Sequence, residues 1–397
     1  MSTPLVLSFL LAIDALLLSF QIGELSISYD ETVLLNGNFS FLQLLVKTSF
    51  LVFGQNDFAL RFPMIVMHII SALLLYGISK EYLKIERNRL WLLLVFILLP
   101  GVMSSAIVVN KAGFILFGLL LFVYLYKRFS PRFYYPLLIF YMLIEGSFVY
   151  LFIAISLFAL YTKNRNLFLF NLILTVLSLL LYGIDMHGSP KGYFLDSLGL
   201  YAAIFTPIIF VYLFYVLYRR YLTKELDILW FIAAVALVVS LLLSFRQKIA
   251  IEYFAPYVIL SLLLVAQTFE HSYRVRLNQF RKTYKLIFTL SLAFLALNSS
   301  VVFFNKYLYP VLKQPRKHFT YKMHVAKELA AELKSRGVEC VNTNKKMARR
   351  LEFYGVTKCN KYLLHENYLN PSNIDNVTIS YKNRIVYSAN VTNININ

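Results

Sequence analysis

The sequence predicts an α-helical polytopic membrane protein of about eleven transmembrane helices, carrying a small C-terminal α/β soluble domain. Three observations predict it. First, 59% of the 397 residues are hydrophobic and only 15% are charged, against about 25% charged in soluble domains. Second, the charges fall between long runs of Leu, Ile, Val, Phe and Tyr, the runs a helix needs to cross about 30 Å of hydrocarbon. Third, the composition turns polar after residue 304. The net charge of +19 sits in short loops, where Lys and Arg orient helices, and does not mark a nucleic-acid binder. The first apolar run lacks a basic leader and a small-residue cleavage site, so it reads as a retained helix.

Apolar spans are expected near 4–20, 63–79, 90–108, 113–126, 133–161, 166–184, 199–218, 226–245, 254–268 and 285–304. The span 133–161 is long enough to be one helix or two, broken at Glu145-Gly146. Loop charge decides between them. Two passes place 17 basic residues in cytoplasmic loops and 6 in the opposite loops, whereas one pass gives 10 and 13. The positive-inside rule therefore favours two passes, a cytoplasmic N-terminus and a tail on the far side of a cell's inner membrane. Residues 1–304 are expected to form the transmembrane domain, with a first outer loop at 21–62, and 305–397 an extracytoplasmic domain.

In that tail, "KELAAELKSRG" and "KKMARRLEFYG" read as helices closed by Gly337 and Gly355. "VECVNT", "KYLLHE", "NVTISYKN" and "RIVYSANV" read as strands, with a turn near Lys382-Asn383-Arg384. The two cysteines, Cys340 and Cys359, fit either a disulfide or two buried thiols, and their spacing does not suit zinc.

Ionisable groups at membrane depth are costly and tend to mark function. Asp30 and Glu31 are neighbours in "SISYDETVLLNG", so they point different ways, and one can face a cavity while the other caps the helix that follows. Arg246 and Lys248 in "SFRQKIAIEYFAP", followed by Tyr253, place two cations on the basic-poor side, which suits either a lipid phosphate at the membrane surface or interfacial anchoring by Arg, Lys and Tyr. Arg61 adds a cation on that side. Glu145 needs a partner, for which Lys111 is the candidate. Asp14 is expected to bond a neighbouring helix, and His68 to pack. Asp185, His187 and Lys191 complete the polar groups of a later outer loop.

The order of these pieces resembles the GT-C glycosyltransferases, in particular the protein O-mannosyltransferase and ArnT-like branch. It consists of an acid pair in the first outer loop, "VFGQNDFALRFP", the Gly-centred break "LIEGSFVYL", a late "RQKIAIEYFAPY" and a terminal soluble domain. The resemblance implies transfer of a sugar from a polyprenyl-phosphate donor to an extracytoplasmic lipid, glycan or protein. It implies Asp30 as the base, Glu31 as its acidic neighbour, Arg61, Arg246, Lys248 and Tyr253 on the donor phosphate, and Lys111 and Glu145 in support. Three family features differ here. The first-loop Pro-Pro pair is absent, Asn110-Lys111 stands where an Asp is usual, and Lys-Gly-Pro becomes Glu145-Gly146-Ser147.

Without the family name, glycosyl transfer needs a base for the acceptor, cations for the departing phosphate, and a cavity open to membrane and water. The residues above supply the first two, and metal-independent catalysis with no cofactor is expected. Two other classes use similar parts. A transporter or flippase of lipid-linked or small solutes should show inverted repeats and more helix-breaking Gly and Pro. An O-antigen ligase or polymerase should show a large late outer loop.

Overall fold

The structure is a computed structural model, and it describes residues 3–183, 192–366 and 376–393. The chain divides into two compact units. One comprises Met1–Leu16 with Met64–Ser299, and the other Leu17–Pro63 with Ser300–Asn397.

Among its described residues the first unit consists of helices joined by short connections. Four helices of the chain are long and apolar enough to cross a membrane among the described residues: Thr3–Glu24, Asp57–Tyr82, Arg165–Tyr182 and Asn278–Phe303. Two bent pairs would raise the number to six. Glu86–Leu98 and Pro100–Ile107 meet at 61°, because Pro100 has no N–H to continue the ladder. Phe194–Phe205 and Pro207–Thr223 meet at 105°. The expected continuous span at 199–218 is therefore two helices, since Thr206 takes a positive φ of 66° and Pro207 again withholds a donor.

The expected interruption at Glu145 is present. Helix Pro131–Ile144 ends at an extended Glu145, one 3-10 turn spans Gly146–Phe148, and helix Val149–Tyr161 follows. The freed carbonyls are satisfied from neighbouring helices, as backbone inside a bundle requires. Tyr182 Oη donates to the Leu143 carbonyl at 2.8 Å and Tyr257 Oη to that of Ser147 at 2.7 Å. Gly146 is required there, because a Cβ would lie 2.7 Å from the Tyr182 ring. Asp14 bonds His68 Nε2 at 2.7 Å, so the mid-helix acid has its partner in the histidine read as packing.

The second unit holds helices Tyr29–Asn36, Phe41–Phe53, Ala326–Ser335 and Lys345–Phe353, together with strands β1 (Tyr362–Glu366), β2 (Asn376–Tyr381) and β3 (Arg384–Asn393). The strands form an antiparallel sheet in the order β1-β3-β2. Lys382 and Asn383 both adopt positive φ, as a two-residue hairpin turn requires. Leu329, Leu333, Leu351, Val377 and Ala389 close the core beneath the two later helices. "VECVNT" makes only isolated bridges, Cys340 to Thr357 and Asn342 to Leu363. Its pairings pass to different segments, so no strand forms. Cys340 and Cys359 are joined as a disulfide with Cα atoms 5.4 Å apart. Residues 41–53, expected as loop, are helical behind the Ser40 cap.

His324 lies wholly inside this unit, bonded through Nδ1 to Tyr309 Oη at 2.7 Å, and its buried Nε2 has no partner among the described residues. Burial first, and then the neighbouring cations Lys306 and Arg350, push its pKa down to about 3. The neutral ring therefore contributes stability above its ordinary pKa of about 6.5 that is lost as pH falls toward 3. Thermal melting of the full chain in detergent from pH 7.5 to 4.5 should show a steeper loss for wild type than for His324→Gln. Equal slopes would remove His324 from the acid response.

Candidate active site

The acid pair opens helix Tyr29–Asn36, and its local chemistry is set by Ser28. Ser28 Oγ accepts from the Glu31 N–H at 3.1 Å, and Glu31 Oε2 accepts from the Ser28 N–H at 2.8 Å, which makes a capping box. Glu31 is thereby turned inward and is 1% exposed. Asp30, one position earlier, is turned outward and exposed. Among the described residues its side chain makes no hydrogen bond or ion pair.

Arg61 is 0% exposed and meets Glu31 in a bidentate pair, Nε to Oε1 at 3.1 Å and Nη2 to Oε2 at 3.0 Å. Its remaining N–H groups go to the carbonyls of Ile22 (3.2 Å), Leu25 (2.8 Å) and Ser26 (2.9 Å). A guanidinium has five N–H donors, and all five are used. Arg61 and Glu31 were both expected at the reacting site, the first on the donor phosphate and the second beside the base, and here they bond each other and nearby backbone. Arg61 has no donor left for a phosphate, and Glu31 is an anchoring carboxylate, because the capping box and the guanidinium hold both its oxygens.

Residues that the sequence did not single out complete the anchorage. Arg350 donates to the Ile27 carbonyl at 2.7 Å, to Ser26 Oγ at 3.1 Å and to the His324 carbonyl at 2.6 Å. Tyr354 Oη accepts from the Ile27 N–H at 2.7 Å and donates to Asp57 at 2.6 Å, while Lys327 pairs with Asp57 at 2.9 Å. The segment 22–31 is therefore held by side chains from the terminal helices. Only the buried position of Arg350 in "KKMARRLEFYG", among apolar residues at helical spacing, could have pointed to it. Alongside the acidic helix is a cavity of about 400 Å³ lined by polar groups that include Thr32, Asn36, Lys47, Gln55, Arg349 and Glu352.

In the other unit, Lys111 Nζ lies 3.1 Å from Glu145 Oε2, the pairing expected from the sequence, and 5.3 Å above the Tyr253 ring. Asn110 caps the Lys111 helix by accepting from the Gly113 N–H. Ser147 Oγ adds a 3.3 Å bond to Glu145. Tyr253, expected with Arg246 and Lys248, thus joins the Lys111–Glu145 pair. Arg246 and Lys248 follow helix Ile228–Ser244 on an exposed stretch that leads to the 3-10 turn Ile251–Tyr253. Asp185, His187 and Lys191 lie outside the described residues. Among the described residues no three His, Cys, Asp or Glu side chains gather as a metal site.

The chain, with its helices and small terminal sheet, shares its fold with a solved membrane protein, a relative in shape only. One solved structure that it resembles is that of ArnT from Cupriavidus metallidurans in the apo state, with a TM-score of 0.58 over 98% of both chains at 10% identity. At that identity the likeness shows the fold. No family model matches the chain, and neither does any curated protein.

Breaking a buried, fully bonded ion pair typically costs about 3–5 kcal/mol, and Lys cannot reproduce a five-donor fork. Arg61→Lys should therefore lower the stability of the purified protein by about 3 kcal/mol or more. The exposed Asp30→Ala should change it by less than about 0.5 kcal/mol. Denaturant or thermal melts that rank the two the other way would contradict this assignment of roles.

Proposed function

We propose that the chain is a membrane glycosyltransferase that moves a sugar from a polyprenyl-phosphate donor to an acceptor on the extracytoplasmic side, with Asp30 as the base. The observation that carries the reading is the division of labour in the acid pair within a GT-C-type fold. One carboxylate is locked by Arg61, and its neighbour is exposed and unpaired on a rigid helix. A general base must reach a substrate proton without first breaking a structural bond, and Asp30 meets that condition.

Asp30 accepts the proton of the acceptor hydroxyl or amine as that atom bonds to the sugar's anomeric carbon. The bond from that carbon to the phosphate oxygen breaks, and polyprenyl phosphate leaves with the electron pair. Arg246 and Lys248 supply positive charge for the departing phosphate. Tyr253 is a hydroxyl donor to it, oriented by the Lys111–Glu145 pair. The polar cavity beside the acidic helix seats the hydrophilic end of the acceptor. The disulfide fits an oxidising compartment outside the cytoplasm, in keeping with a cytoplasmic N-terminus, eleven passes and an extracytoplasmic tail.

The test is consumption of a polyprenyl-phosphate sugar by purified protein together with an extract of cell-envelope acceptors. Wild type should turn over donor, and Asp30→Asn should be slower by about 100-fold or more, the usual worth of a general base, with unchanged melting. Wild-type turnover retained in both Asp30→Asn and Asp30→Ala would remove Asp30 from the reaction.

A further inference from the structure

A cavity larger than the one beside the acidic helix shares no lining residue with the sites assigned above. It is a groove of about 750 Å³ in the helical unit, along helix Pro207–Thr223 and against the turn that joins helices Leu262–Val275 and Asn278–Phe303. Pro207, Ile208, Val211, Tyr212, Tyr215 and Arg219 share one face of the first helix and line it. Val211 is 68% exposed and Tyr215 49%, so the groove opens outward from the bundle.

Its two ends differ in chemistry. The Pro207 end is apolar, whereas the other holds Arg219, Ser272, Arg276 and Tyr284. The Arg276 guanidinium lies 4.4 Å over the Tyr284 ring, and Tyr284 and Tyr212 share a hydroxyl contact at 3.2 Å. Arg219 Nη1 donates to Ser272 Oγ at 3.3 Å. Nearby basic residues are committed elsewhere. Arg220 turns inward to Gln267 at 2.5 Å, Arg274 pairs with Glu270, and Arg281 donates to the carbonyls of Arg276 and Arg274. Among the described residues neither Arg219 nor Arg276 pairs with a carboxylate. Two guanidinium groups thus stand at the head of an apolar groove without a counter-charge.

We infer that this groove binds an anionic glycerophospholipid, with its phosphate between Arg219 and Arg276 and an acyl chain along Val211 and Ile208 toward Pro207. The twelve-residue rise from Pro207 to Arg219 is about 18 Å, close to one leaflet of an approximately 30 Å hydrocarbon core. That length suits an acyl chain of the leaflet, and a polyprenyl chain would overrun it. The basic loops at the arginine end face the cytoplasm in the orientation proposed above, where anionic lipid is concentrated.

The test is retention of lipid by the full chain in detergent, read by native mass spectrometry. The probes are phosphatidylglycerol, phosphatidylcholine of the same acyl chains, polyprenyl phosphate and inorganic phosphate. Phosphatidylglycerol should be retained about tenfold or more over phosphatidylcholine, since each basic residue favours anionic lipid. Arg219→Gln with Arg276→Gln should bring that preference near unity, the exposed Arg276→Gln alone should reduce it, and Arg274→Gln should leave it intact. Equal retention of the two phospholipids, an unchanged preference in the double variant, or an equal loss in Arg274→Gln would overturn the site. So would displacement of phosphatidylglycerol by polyprenyl phosphate or by inorganic phosphate at equal concentration.

Discussion

The buried pair between Glu31 and Arg61 is the constraint on which the outer segment depends. Two full charges with no exposed side-chain surface are tolerable only when every donor and acceptor is bonded, because desolvation otherwise exceeds the Coulombic gain. Arg61 meets that condition by gathering three carbonyls of residues 22–26 and both oxygens of Glu31. The chain leaving the first helix therefore has one allowed path. Its reward is registration: with Glu31 pinned inward, helical geometry turns Asp30 outward.

The same segment is fixed a second time from the end of the chain. Arg350 and Tyr354 bond the backbone of Ile27, and Arg350 also holds Ser26. The Ser26 N–H donates to the Met323 carbonyl at 2.9 Å. Backbone groups in a loop must find partners, and here those partners come from residues some 300 positions away. That explains why Leu17–Pro63 and Ser300–Asn397 form one compact unit. The terminal helices act as a brace for the acidic helix, and the disulfide and three-stranded sheet stiffen the brace.

Much of this was legible in the residues. The break at Glu145 was legible where an acid and a glycine interrupt the apolar run 133–161. The lone acid at membrane depth called for a cation, and Lys111 provides it. The helices closed by Gly337 and Gly355 and the Lys382-Asn383 turn followed from local chemistry. What was not legible depends on distant partners. A buried arginine and a phosphate-binding arginine have the same letter, and only the three backbone carbonyls around Arg61 distinguish them. The bend at Thr206-Pro207 was hidden by an apolar run on either side. Helix Phe41–Phe53 reads as loop when its neighbours are counted as membrane spans. Arg350 lies in an amphipathic helix whose partner face comes from the other end of the sequence.

The reaction proposed here needs Asp30 and the Arg246-Lys248 stretch to act on one substrate, so both must face the same side of the membrane. The direct measurement is the spin-label distance between Asp30→Cys and Lys248→Cys in the full chain reconstituted in nanodiscs, with the native disulfide intact. The account predicts a single population well below the roughly 30 Å hydrocarbon thickness. A distance at or beyond that thickness would put the acid and the cations on opposite faces and contradict it.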